Sequence, residues 1–427
     1  MKFRIPAFKN LFLILVIFAL GVGIGYKYVA NIPLKPAVNA QKSTPKAFIS
    51  EVYDKIKDNY WDNISDAQLL DLFKVQMERN GGTITVAKFE NKEKLLDGFV
   101  KATTGMDEDK KNSFYATVTG AVLSSLNPIG RSGLFTEKQE EELKNKVSNI
   151  NPEKDLYKDL GLSKGASEAA VASAYEKKAS ELSKDKSPEA KEKLKQVTYA
   201  RDTLTQKDTK QRYDTNQVEP TMFTKTVGST LYFQFKKFSP TSYDEFIKIF
   251  EKYKDDNSLN ALIFDLRGNI GGAIDATPYF LGHFIGKGAY AFDFYHKGEY
   301  LPFKTPTDKL PSLTRFRQIV VLVDNQTQSS AEIMAASLKK YHMGVIVGVP
   351  TKGWGTVERI FPLDNQFNKK EKYSMFLVHS ITLRDDNLPI EGRGVDPDVK
   401  ITDPNWPAQL LLFFNNPALV QTVQSVL

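Results

Sequence analysis

The sequence predicts an α/β core over residues 219–404, preceded by helical segments, and three observations carry that prediction. Residues 261–266, 319–323 and 345–349 are apolar runs with the length and β-branching of buried strands. After Ser330 the period changes: Ile333, Met334, Ser337, Leu338 and Tyr341 follow helical spacing, and Ala335 and Ala336 allow close packing. Polar or glycine-rich turns follow these runs, at residues 265–272, 324–326 and 351–356.

A chain of 427 residues is long enough for two to four domains with a substantial core. Its net charge of +7 and pI near 9.0 are modestly basic, with lysines and acids interspersed. That distribution is a solvated surface, not a nucleic-acid footprint, so no nucleic-acid partner is expected. The absence of cysteine excludes disulfides, thiolate chemistry and Cys-ligated zinc. His283, His296, His342 and His379 lack metal-ligand spacing, so neither a metal nor a cofactor is expected.

Lys2, Arg4 and Lys9 precede the uncharged apolar run 11–26. Extended as far as Ile32, it predicts a single-pass transmembrane anchor over residues 1–32, with the remainder outside the cytoplasm. The rival reading is a cleaved signal peptide ending at Val38-Asn39-Ala40, although that site lies far beyond the apolar run. Pro33, Pro36 and Pro45 mark residues 33–46 as a tether.

Residues 47–150 read as a helical region. Phe48, Val52, Ile56, Tyr60, Leu69, Leu70 and Phe73 are helically spaced, with a turn near 62–65. A further helix covers 114–126 and breaks at Asn127-Pro128; Thr136 to Gln139 forms a capping box that starts another. Residues 152–216 predict three charged helices with small or apolar residues facing inward. Residues 405–427 form a helical tail.

The serine-bearing turn after residue 323 sits where a strand ends and a helix begins. A serine there exposes its hydroxyl beside free backbone N–H groups suited to a developing oxyanion. Ser329 and Glu332 also fit a plain S-x-x-E capping box, in which the serine only starts the helix. The turn Asp265-Leu-Arg-Gly-Asn-Ile-Gly-Gly272 lacks the spacing of a phosphate loop. Its Asp265 and Arg267 are expected to hold the loop together.

Several of these motifs together resemble the tail-specific, or C-terminal processing, proteases: the S41 serine peptidases of the ClpP/crotonase-like fold. The resemblance rests on D-L-R-G-N-I-G-G, on the segment N-Q-T-Q-S-S-A-E and on the closing Ile390-Glu-Gly-Arg-Gly-Val-Asp-Pro-Asp398. FISEVYDKIKDNYWD and GAVLSSLNPIGRSGLFTEKQEEEL resemble the helical region that precedes the PDZ domain in that family. The PDZ position holds instead a stretch similar to a J domain, from Leu156-Tyr157 through Tyr199-Ala200 to Arg212-Tyr213-Asp214. Ser183-Lys184-Asp185 stands where J domains carry His-Pro-Asp, the tripeptide that engages Hsp70, so no Hsp70 partnership is expected.

The resemblance implies a serine endopeptidase acting on protein or peptide substrates. Ser329 would be the nucleophile, and Gly271, Gly272 and Ser330 would supply the oxyanion amides. It also implies a lysine base at position 354, where this chain has Trp354. Three candidates stand in its place. Lys352 lies two residues earlier in the turn and would need burial, since only that favours a neutral amine. His379 lies on a predicted strand over 373–383, and Glu391 stands where tricorn-type relatives carry a glutamate. The remaining alternative is that no competent base exists and the domain is a peptide-binding pseudoprotease.

Overall fold

A computed structural model describes residues 44–427 except Thr85 and Asp385. The predicted anchor, and all but the end of the tether, lie outside the described residues. Among the described residues no helix is long and apolar enough to cross a membrane.

The chain begins with helices α1 (Pro45–Asn59), α2 (Asp66–Arg79), α3 (Lys92–Ala102) and α4 (Glu108–Ser125). The expected turn near 62–65 ends at Ser65, which caps α2 reciprocally with Gln68. The α4 helix starts earlier than predicted because Asp107 accepts the Lys110 N–H at 2.8 Å, and two acids favour its first turn. Strand β1 (Gly133–Thr136) leads into α5 (Glu137–Val147). The J-like unit holds four elements rather than three: α6 (Leu156–Asp159), α7 (Glu168–Lys184), α8 (Pro188–Leu204) and α9 (Lys207–Asn216). The additional element is α9: α8 ends at Leu204, with the Thr205 hydroxyl donating back to the Arg201 carbonyl at 2.8 Å, and the closing Arg212-Tyr213-Asp214 lies on a helix of its own.

The α/β alternation then follows. It runs β2 (Met222–Val227), β3 (Thr230–Phe235), α10 (Ser242–Lys252), β4 (Ala261–Asp265) and α11 (Thr277–Ile285). Next come β5 (Tyr290–His296), β6 (Glu299–Lys304), α12 (Pro311–Thr314), β7 (Gln318–Val323), α13 (Ser330–Lys340) and β8 (Val345–Gly348). The last elements are β9 (Thr356–Pro362), β10 (Tyr373–Thr382), β11 (Val399–Lys400), α14 (Trp406–Phe414) and α15 (Pro417–Val426).

These elements form two compact units made of interleaved stretches. The first takes the described residues up to Glu140 together with Phe294–Leu301 and Thr356–Ile381. The predicted core stretch 219–404 therefore gives two of its segments to the helical region. The reason is packing: Leu363, Phe367, Met375 and Leu377 complete the core begun by Phe48, Val52, Phe73 and Phe99. Within this unit β1 and β9 both pair antiparallel with β10.

The second unit holds Glu141–Asp293, Pro302–Gly355 and Thr382–Leu427. Its sheet has the order β11–β8–β7–β4–β3–β2, parallel apart from the β2–β3 hairpin. Side chains alternate along β4. Ala261 and Ile263 pack with Leu410, Leu419 and Val423 of the two last helices. Phe264 instead stacks on Phe233 and meets Phe284 of α11. With both faces covered, the parallel strands read as continuous apolar runs.

The J-like unit has its own core of Leu156, Tyr157, Val171, Ala200, Leu204 and Tyr213. It also joins the sheet domain within this second unit. Arg212 pairs with Glu245 of α10 at 3.0 Å, the Tyr199 hydroxyl donates to Glu219, and the Tyr199 ring meets Phe223 of β2. Asp185, at the end of α7, accepts the Ser187 N–H at 2.8 Å, so the Ser-Lys-Asp tripeptide builds a turn.

Candidate active site

Ser329 occupies the step from β7 to α13, with φ 57° and ψ −125°. A non-glycine residue in this region costs of order 1–3 kcal/mol and persists only where its surroundings over-determine it. They do so here. Asp324 Oδ1 accepts the N–H groups of Gln326 and Thr327, and the Thr327 hydroxyl donates to the Leu266 carbonyl at 2.9 Å. The Gln328 N–H donates to the Asn269 carbonyl, also at 2.9 Å. The turn is thereby tied to the loop after β4, and Ser329 itself is only half-buried.

That loop needs its two glycines. Gly271 has φ 81°, and a Cβ on it would stand 2.7 Å from Ser329 Cβ and 3.1 Å from its hydroxyl oxygen. A Cβ on Gly272 would collide with the Phe238 carbonyl at 1.9 Å. Asp265 and Arg267 hold the loop as expected: the buried carboxylate takes the Arg267 amide at 2.9 Å and its guanidinium at 2.6 Å.

Of the three expected oxyanion donors, Gly271 is engaged elsewhere, because its N–H donates to the buried Asn269 side chain at 2.9 Å. The Gly272 and Ser330 amides have no such partner among the described residues, and the Ser330 hydroxyl joins the two by donating to the Gly272 carbonyl at 3.3 Å. Two amides at a glycine loop and a helix start, beside the half-buried Ser329, form an arrangement suited to oxyanion stabilisation.

Glu332 is fully buried one turn into α13 and receives four donors. The Ser329 N–H (2.9 Å) and Trp354 N–H (2.8 Å) reach Oε2; the Thr351 hydroxyl (2.5 Å) and Gly353 N–H (2.7 Å) reach Oε1. Burial pushes its carboxyl above the usual range, and these four donors oppose that shift. One carboxylate thus holds both the serine and the turn where the family resemblance places its base. The spacing S-x-x-E marked Glu332, but local sequence showed nothing of its reach to 351–354.

The side chains of that second turn do not supply a visible base. Lys352 is exposed, its backbone N–H donating to the Thr327 carbonyl at 2.9 Å. The burial required of a lysine base is therefore absent. Trp354 stands at the family's lysine position, half-buried. Glu391 braces the turn by accepting the Gly355 N–H at 2.8 Å. The closing motif packs backbone to backbone there: a Cβ on Gly355 would meet the Glu391 nitrogen at 2.3 Å, and one on Gly394 the Thr351 carbonyl at 2.5 Å.

His379 belongs to the other unit. Its ring stacks on His296 with centroids 4.3 Å apart, and its Nδ1 lies 2.8 Å from the Ser380 hydroxyl. Burial first, then Arg359, His296 and Lys297, push its pKa down to about 3, so the ring is neutral at ordinary pH. Among the described residues no cluster of His, Asp or Glu is arranged to hold a metal.

The parallel sheet carries a strained serine at a strand-to-helix turn, with the Gly272 and Ser330 amides beside it. Residues 229–401 match the family model "Peptidase family S41", and residues 155–214 match "DnaJ domain". Among curated proteins it is 26% identical over 179 residues to the carboxy-terminal-processing protease of Bartonella bacilliformis, covering 42% of this chain and 39% of that protein. It is 23% identical over 177 residues to the chloroplastic carboxyl-terminal-processing peptidase 1 of Arabidopsis thaliana, covering 42% of this chain and 34% of that one. The match thus spans less than half the length of these relatives. Among solved structures, the photosystem II D1 C-terminal processing protease superposes with a TM-score of 0.37 at 20% identity, covering 43% of this chain and 48% of that one.

Proposed function

We propose that this chain is a serine endopeptidase that cleaves protein chains by acylation of Ser329. The observation that carries the reading is the strained Ser329 beside the Gly272 and Ser330 amides. Attack by the hydroxyl forms the Ser–acyl bond, the developing oxyanion meets the two amides, and the proton passes to the leaving amine through a base that substrate binding must complete. Apo sites often tighten in this way. The basic residues before the apolar run at 11–26 support a membrane anchor that sets this activity outside the cytoplasm.

A second reading is favoured by the exposure of Lys352 and by Trp354 at the lysine position: the domain binds extended chains without cutting them. Labelling by a serine-reactive phosphonate, read by mass spectrometry, separates the two. Stoichiometric modification of Ser329 supports the peptidase. Ser329→Ala then lowers cleavage of an unfolded protein about 10³-fold or more. No labelling of a folded wild-type chain, with equal residual cleavage in the variant, leaves the binding reading.

A further inference from the structure

An open cavity of about 910 Å³ lies in the second unit, away from Ser329 and its loop. Its apolar lining comes from Phe284 at the end of α11, Leu313 and Phe316 around α12, Met343 before β8, and Phe413 of α14. Phe284, Leu313 and Phe316 are buried, whereas Phe413 is 56% exposed and its neighbour Leu412 is 87% exposed. An apolar hollow thus opens beside an apolar ridge that none of the described residues covers.

The rim is cationic. Lys309, Arg317 and Lys340 line the cavity and are exposed, and none has an ion-pair partner among the described residues; Lys340 rests over the Tyr290 ring. Lys339 is the fourth cation, and it is taken by Asp398 at 3.1 Å, the one carboxylate in the lining. Four cations against one anion leave the rim at +3.

We propose that this face docks on an anionic lipid bilayer, with an acyl chain entering the cavity and phosphate headgroups lying against Lys309, Arg317 and Lys340. Exposed apolar side chains ringed by unpaired cations match the two layers of such a surface: hydrocarbon below, anionic phosphate above. A second copy seated on the same face would set the +3 rim against itself. The inference stands apart from the peptidase reading, because no residue of the Ser329 site takes part.

The chain has no cysteine, so Leu412→Cys creates a single site for an environment-sensitive fluorophore. The full-length protein is mixed with vesicles of phosphatidylcholine alone or of phosphatidylcholine with phosphatidylglycerol. Flotation reports overall attachment, and the label reports this face. With phosphatidylglycerol, the label at 412 shifts to the blue and becomes shielded from iodide, while one at Glu189→Cys on α8 does not. Combined Lys309→Glu, Arg317→Glu and Lys340→Glu weakens the label's partitioning at least about tenfold, and Lys309→Gln with Lys340→Gln weakens it less. The inference is overturned if the 412 signal is the same in neutral vesicles, or is unmoved in charge variants that keep the wild-type urea midpoint. It is equally overturned by a shift that follows protein concentration without lipid, which marks a second copy. Displacement of the label by a soluble peptide carboxylate would likewise overturn it, by marking a peptide groove.

Discussion

Two turns meet at Glu332, and they differ in what they present. The turn around Ser329 sets a strained backbone and a half-buried serine beside two amides without a partner among the described residues. The turn from Thr351 to Gly355 is fastened as firmly, by Glu332 on one side and Glu391 on the other. Yet it turns Lys352 to solvent and offers Trp354 at the position of the family's base. The backbone of the Ser329 site is thus separable from any proton chemistry it performs. Hydrogen bonds to main-chain amides fix the first, whereas the second hangs on one side chain.

The largest effect should come from breaking the tie between the two turns. Glu332→Ala leaves four donors without their acceptor, two of them (the Thr351 hydroxyl and Gly353 N–H) buried, a loss of about 2 kcal/mol or more in urea unfolding at roughly 1–3 kcal/mol per stranded buried group. It should also abolish phosphonate labelling of Ser329. A loss below about 1 kcal/mol would show that the turns stand without the carboxylate. Supplying the missing side chain should come next. If Trp354→Lys restores a base, the rate of Ser329 labelling rises about 10²-fold, the low end for general-base assistance. An unchanged rate would mean that position 354 does not face the serine.

A smaller effect tests the histidine. Because the folded pKa of His379 is depressed to about 3, the unfolded chain binds its proton first as pH falls. The stability it contributes is complete above about pH 6.5 and is lost between there and pH 3. Discounted for partial exposure, the loss is about 1–2 kcal/mol on going from pH 7 to pH 5. His379→Gln should flatten that part of the urea-midpoint profile, and an unaltered slope would assign it to other groups. The smallest effect should be that of Lys352→Ala, which changes labelling by less than about twofold because the side chain is exposed. A drop of about 10²-fold or more would instead make Lys352 the base.

Much of this site was legible in sequence where the signal is local. The runs at 261–266 and 319–323 became β4 and β7, the turn of Ser329 fell between strand and helix, and D-L-R-G-N-I-G-G gave the loop against it. Periodicity also gave α1, α2 and the J-like helices. It did not give α3, whose Leu95, Leu96 and Phe99 lie in an otherwise charged and broken stretch. What stayed hidden depends on partners far along the chain. The Gly271 amide is consumed by the Asn269 side chain, Glu332 reaches Thr351 and Trp354, and Phe367 lies in the core of the N-terminal helices. No pattern of 3.6 or 2 residues encodes such contacts.

The interleaving of the two units has a consequence in time. The helical core closed by Leu363, Phe367, Met375 and Leu377 is otherwise complete at Leu126, 237 positions earlier (363 − 126). At about 5–20 residues per second, synthesis leaves those helices waiting roughly 10–50 s for their last strands. In that interval the helices can close on one another through Phe73, Phe99 and Phe114, but the patch at Phe48 and Tyr115 stays uncovered until Phe367 arrives.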